Sequence, residues 1–180
     1  MKNPKIIHIV SIAIMISLVF NASAEAGWFH ATTKAAARSI MKRGINPFKF
    51  KSSARFGKGF YVAKTPRTAL AEKGGNNAIL RFKGNRYLKK NTLDFRKPSA
   101  DSLHKQLGAR YDLRGTVKNK VIGPKAAHQL GKAAGNQGKV IQYRSVRNGG
   151  GANLFVPKKV FAEKPRILHP EKIVSTGKLK

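Results

Sequence analysis

The 180-residue sequence has no cysteine, one tryptophan, and only seven acidic side chains against 37 lysines and arginines. Without cysteine there are no disulfides, no thiolate metal sites and no cysteine nucleophile. A chain of this size must then hold together through its apolar core. No apolar run reaches the roughly 20 residues that span a bilayer, and the most apolar stretch, Ile6 to Phe20, stops at 15. The five histidines include no pair at a helical or hairpin metal spacing, and HExxH does not occur. No metal site is expected. Recognised RNA-binding motifs are also missing, and the aromatics do not interleave with the basic residues in a stacking pattern.

The beginning, MKNPKIIHIVSIAIMISLVFNASAEA, has two lysines, then the apolar stretch, then small residues at Ala22, Ala24 and Ala26. That order predicts a secretory signal peptide over residues 1–26, with cleavage after Ala24 or Ala26. It implies a secreted or periplasmic protein with no stable membrane span once the leader is removed. Residues 27–180 are the size of one ordinary domain. Loss of residues 1–24 removes Lys2 and Lys5 and no acid, leaving a charge near +28. Such a surface draws anionic partners: nucleic acid, lipid headgroups, acidic glycans or a phosphate-bearing small molecule.

Helix and strand patterns mix without the regular alternation of a parallel α/β sheet, so the fold class expected is α+β. A strand is expected in GWFHATT, ending at His30 or Ala31. A helix over Lys34–Arg43 follows, capped by Thr32 or Thr33, with Ala36, Ala37, Ile40 and Met41 on one face and Gly44 as its stop. Residues 45–58 read as a loop and Gly59–Lys64 as a strand. Thr65-Pro66 starts a second helix, which Gly74 and Gly75 end. Further strands are expected at Ala78–Phe82, Thr92–Phe95, Lys139–Arg147 and Ala152–Pro157, the last two joined by the turn NGGG. Helices are expected at Ser99–Leu107 and Pro124–Ala134, and Lys172–Ser175 is expected to close an edge.

The stretch ARFGKGFYVAKTPRTALAEKGG holds a glycine pair around Lys58, a strand bearing Tyr61, and a capped helix ending in Glu72. Of the acids Glu25, Glu72, Asp94, Asp101, Asp112, Glu163 and Glu171, only Glu72 adjoins a Gly-rich, aromatic-bearing strand able to line a pocket. GKGFYVAKTPRTALAE resembles the RES-domain pattern that supplies a tyrosine and a glutamate, and QYRSVR resembles the segment that supplies its serine. WFHATT with GKGFYVA is also similar to the His-x-Thr and Gly-x-Gly-x-Tyr elements of His-Tyr-Glu ADP-ribosyltransferases. The pieces span about Phe29 to Pro157. RES proteins have an arginine where this chain has His30, and the late strand that carries the transferase acid has Asn153 instead.

The resemblance implies an ADP-ribosyltransferase-like (RES-like) fold, a split mixed or antiparallel sheet with flanking helices. It implies a protein that binds NAD and cleaves its nicotinamide N-glycosidic bond, as a glycohydrolase or an ADP-ribosyltransferase. Glu72, Tyr61, Ser145 and His30 are then the expected catalytic residues. NAD contacts are expected from His30, Thr32, Arg55, Lys58, Gly59, Tyr61, Ser145, Arg147 and Asn153. Loosely, residue chemistry agrees. A carboxylate steadies a ribosyl cation, and Arg55, Lys58 and the amides around Gly57 and Gly59 suit a diphosphate. Tyr61 suits stacking on nicotinamide, and Ser145 and His30 suit hydrogen bonds to ribose. Tyr61 and His30 read equally well as packed core residues, and Ser145 as plain strand alternation.

An exported NAD-consuming toxin or effector is the function expected. Its partners would be NAD, a macromolecular ADP-ribose acceptor or nucleic acid, and an acidic immunity protein. The alternative is a secreted basic ribonuclease or nucleic-acid-binding toxin using His30 with Lys58 or His104. A third reading is a protein that coats acidic polymers without catalysis.

Overall fold

A computed structural model of the protein describes residues 27–73, 78–96, 124–145, 147 and 151–174. The leader, the glycine stop at Gly74 and Gly75, the helix expected at Ser99–Leu107, and most of the NGGG turn lie outside the described residues.

Local chemistry sets the first elements. Strand β1 (Trp28–Thr32) runs into Thr33, whose hydroxyl accepts from the Ala36 amide at 3.2 Å and starts helix α1 (Lys34–Arg43). Gly44, at φ 77°, ends it by donating its amide to the Ile40 carbonyl. Such a positive φ is easiest for glycine. Ala37 is fully buried and Met41 is 37 % exposed, so the apolar face of α1 is narrower than its pattern suggests. The following loop contains a 3₁₀ turn, Pro47–Lys49, capped by the Asn46 side chain.

Strand β2 (Gly59–Ala63) leads to helix α2 (Pro66–Lys73), where the Thr65 hydroxyl accepts from the Thr68 amide at 3.1 Å. Next come β3 (Ala78–Gly84), helix α3 (Arg86–Asn91) and β4 (Thr92–Asp94). After them lie helix α4 (Pro124–Asn136), β5 (Val140–Arg144), β6 (Ala152–Pro157), helix α5 (Lys158–Glu163) and β7 (Leu168–Val174). Helices α3 and α5 were not expected from the sequence. Asn85 caps α3 through Leu88, whereas no side chain caps α5. β7 starts four residues earlier than Lys172 and admits Pro170 because it is an edge strand.

The strands form one mixed sheet of seven in the order β4-β5-β6-β2-β1-β3-β7, with β4 and β5 parallel and the other pairs antiparallel. The fold is α+β with flanking helices. Side chains alternate between its two faces. Phe60, Val62, Leu154 and Val156 pack with Trp28, Phe82 and Leu80 beneath Ala37 of α1 and Val160 and Phe161 of α5. On the opposite face, Ile141, Tyr143 and Phe155 pack beneath Ala127, Leu130 and Ala134 of α4. Ala31 and Ala63 lie on that same face beneath Ala69 of α2.

The seam between β1 and β2 is thin. Its register is the single pair Phe29↔Ala63, against five pairs between β2 and β6. His30 reinforces the seam by placing Nδ1 2.8 Å from the Tyr61 carbonyl oxygen.

Candidate functional site

Helix α2 carries Glu72 in its last turn, over the face that holds Ala63. Asn153 is the cross-strand partner of both Ala63 and Tyr143, so its side chain points to the same face. Ser145 follows β5 by one residue, and its amide donates to the Gly151 carbonyl at 2.6 Å, closing the approach to β6. These three elements bring their polar groups together. Ser145 Oγ donates to Glu72 Oε1 at 2.5 Å, and Asn153 Nδ2 donates to the same oxygen at 2.8 Å.

Two of these groups are deeply buried: Ser145 is 1 % exposed and Asn153 is 3 %. Buried polar side chains are retained where they are paired, and here both pair with one carboxylate. Among the described residues Oε2 of Glu72 has no hydrogen-bond partner, so it is the oxygen left for a ligand. Arg147 borders the site. Its Nη1 donates to the Glu72 carbonyl at 3.0 Å, and its amide donates to Ser145 Oγ at 3.2 Å.

Beside Asn153 on the neighbouring strand stands its cross-strand partner Tyr143, a buried phenol. Burial raises the Tyr143 pKa, with the nearby Tyr61 and Glu72 adding to the shift, so the phenol stays protonated. The Arg55 guanidinium sits 5.7 Å from the centre of its ring. Sequence reasoning passed over Tyr143. The period-two pattern of QYRSVR was the available signal, since it puts Tyr143 and Ser145 on one face.

Tyr61 lies nearby as a brace. Its hydroxyl accepts from the Phe56 amide at 2.7 Å and donates to the Gly57 carbonyl at 3.2 Å, and its ring is 4.9 Å from that of Phe155. Burial also raises its pKa. At Gly59 the strands press close: a Cβ there would lie 2.2 Å from Phe155 Cε2 and 2.5 Å from the Val156 carbonyl oxygen.

His30 and Thr32 do not join Glu72. They alternate with Phe29 and Ala31, which share the Glu72 face, and so project from the other side of the sheet. There they line a cavity of about 830 Å³ with Arg43, Phe48, Phe50 and Phe60, within the size range of small-molecule sites. The His30 ring lies 4.6 Å from that of Phe60. Desolvation lowers its pKa, the bond to the Tyr61 carbonyl opposes the shift, and Lys73 adds to it. Lys58 is elsewhere again, exposed on the wall of a cavity of about 370 Å³ beside His128 and Lys132. His30 and Lys58, an acid-base pair in the ribonuclease reading, therefore line different cavities.

No protein-family model matches the chain, and the curated proteins contain no match to it.

Proposed function

We propose that the protein is an exported NAD-consuming toxin or effector with its catalytic centre at Glu72, of RES-like, ADP-ribosyltransferase-like arrangement. One observation carries the reading. Ser145 and Asn153, 73 and 81 residues away in sequence, both donate to one oxygen of the half-buried Glu72 carboxylate. A serine just past a strand meeting a helix glutamate agrees with the resemblance of QYRSVR and ALAE to the RES pattern.

In this reading the bond between the ribose anomeric carbon and nicotinamide nitrogen breaks heterolytically. Nicotinamide leaves neutral with the electron pair, and positive charge develops on the ribosyl ring. Oε2 of Glu72 faces that charge, and the two donors on Oε1 hold the carboxylate in place. An acceptor hydroxyl, from water or a macromolecule, adds to the anomeric carbon and releases its proton. Arg55 and Arg147 supply positive charge for the diphosphate. His30 and Thr32 take no part in this step, since they face the other side of the sheet.

The test is separation of products after incubation with NAD. Nicotinamide appears with the wild-type protein, and Glu72→Gln lowers its rate of release about 100-fold or more. No release by the wild type, or equal release by both, rejects the proposal.

A further inference from the structure

We propose a second site, for a phosphate group, built from Lys64, Arg96 and Arg144 at the end of the sheet on the face opposite Glu72. Strand register puts two of these cations in one row. The Lys64 amide donates to the Ala152 carbonyl at 2.7 Å, and Ala152 pairs with Arg144. Alternation along β2, β6 and β5 turns all three side chains to the face of Val62 and Leu154. Between the cations Ala152 offers only a methyl group, so that strand does not fill the gap.

Arg96 stands on the β5 side, already oriented. Its Nε and Nη2 donate to the two oxygens of Asp94 at 2.9 and 2.8 Å. The Gln142 amide oxygen, turned toward it, accepts from Nη2 at 2.6 Å. On the β1 side Trp28 closes the row, with Lys64 Nζ 4.9 Å from its ring centre.

Among the described residues the carboxylate in this row is that of Asp94, which bridges to Arg96. Among the described residues, Lys64 has no carboxylate partner and the buried Nε of Arg144 has no hydrogen-bond partner. A buried guanidinium N–H without an acceptor is costly. Desolvation and the neighbouring Arg96 also lower the Lys64 pKa, as expected for cations crowded together without counter-charge. Phosphate oxygens would relieve both, accepting from the planar Arg144 fork and from the Lys64 ammonium. Arg144 and Ala152 immediately precede Ser145 and Asn153, whose side chains point the other way, so this site does not depend on the role of Glu72.

Trp28 is the chain's one tryptophan, so its emission reports on this place alone. The purified protein is titrated with inorganic phosphate and separately with ADP, at about 0.3 M sodium chloride to screen general attraction. A saturable change in Trp28 emission is expected with phosphate. ADP binding tenfold tighter assigns a nucleotide as the natural source, and equal affinity assigns the free ion. Calorimetry with inorganic phosphate on Lys64→Gln and Arg144→Gln is expected to show at least tenfold weaker binding, while the exposed Lys172→Gln binds as wild type. Arg144→Lys keeps the charge but loses the fork, and serves the same comparison if Arg144→Gln does not fold. No saturable response in the wild type, or wild-type affinity in the folded Lys64 and Arg144 variants, overturns the proposal.

Discussion

Glu72 receives both of its side-chain hydrogen bonds on Oε1, and this asymmetry makes Asn153 an informative position. Asn153→Asp replaces a donor 2.8 Å away with a second carboxylate. Two carboxylates that close share a proton rather than both ionise. The acid limb of the pH profile for nicotinamide release is expected to move up by about one pH unit or more. A profile that stays in place contradicts the contact. His30 gives a separate signal. Its folded pKa is below the ordinary value of 6.5, so in the window below about pH 6.5 the unfolded chain binds the extra proton. Stability is full above that window and falls as pH drops through it, by at most about 1.4 kcal/mol per pH unit for one proton. His30→Gln keeps a donor for the Tyr61 carbonyl and removes this contribution. Urea midpoints at about pH 5 and pH 7.5 are expected to diverge less in the variant; the same divergence in both would place the titration elsewhere.

At the scale of elements, the caps were legible because they are local. Thr33 before Lys34 and Thr65 before Pro66 bond within their own first turns, and a reader of the sequence needs only three residues to find them. Helix α5 was not legible, because it lacks a side-chain cap and is held by burying Val160 and Phe161 against distant strands. Helix α4 owes its seat to glycine. A Cβ on Gly131 would lie 2.0 Å from the Phe56 carbonyl oxygen, whereas one on Gly135 would lie 3.1 Å from Pro157 Cβ. Gly131→Ala is expected to lower stability by about 2 kcal/mol or more through overpacking against backbone. For Gly135→Ala the gain in helix propensity, about 1 kcal/mol, offsets most of a milder clash. Equilibrium denaturation of the pair checks this, and equal losses would show that α4 is not held against the Phe56 turn.

Across the whole molecule, the sheet sets which of the expected site residues share a face. Local patterns put Glu72 at the end of a capped helix and Ser145 at the end of a strand. Their meeting depends on β6 pairing with β2 and β5 with β6, and the first of these joins residues 90 to 98 apart, which no local pattern encodes. The same topology separates His30 from Glu72. In sequence both belong to one expected site, but period-two alternation about Phe29 and Ala31 sends His30 to the far face. That division was readable in principle, given knowledge of which face α2 covers. The excess of basic residues was plain from composition, but composition cannot rank them. Three are singled out only by the row that register builds from Lys64 to Arg96.

The central claim is that the carboxylate on α2, and not the cavity around His30, is where NAD is cleaved. The most direct measurement is the initial rate of nicotinamide release by the chain from residue 27 onward. It is made on the wild type, Glu72→Gln and His30→Gln, each shown by circular dichroism to be folded. Loss of release in the Glu72 variant, with the His30 variant within about threefold of wild type, is the result predicted from these placements on opposite faces. Loss in the His30 variant with Glu72→Gln still active would contradict it and move the chemistry to the cavity beneath α1.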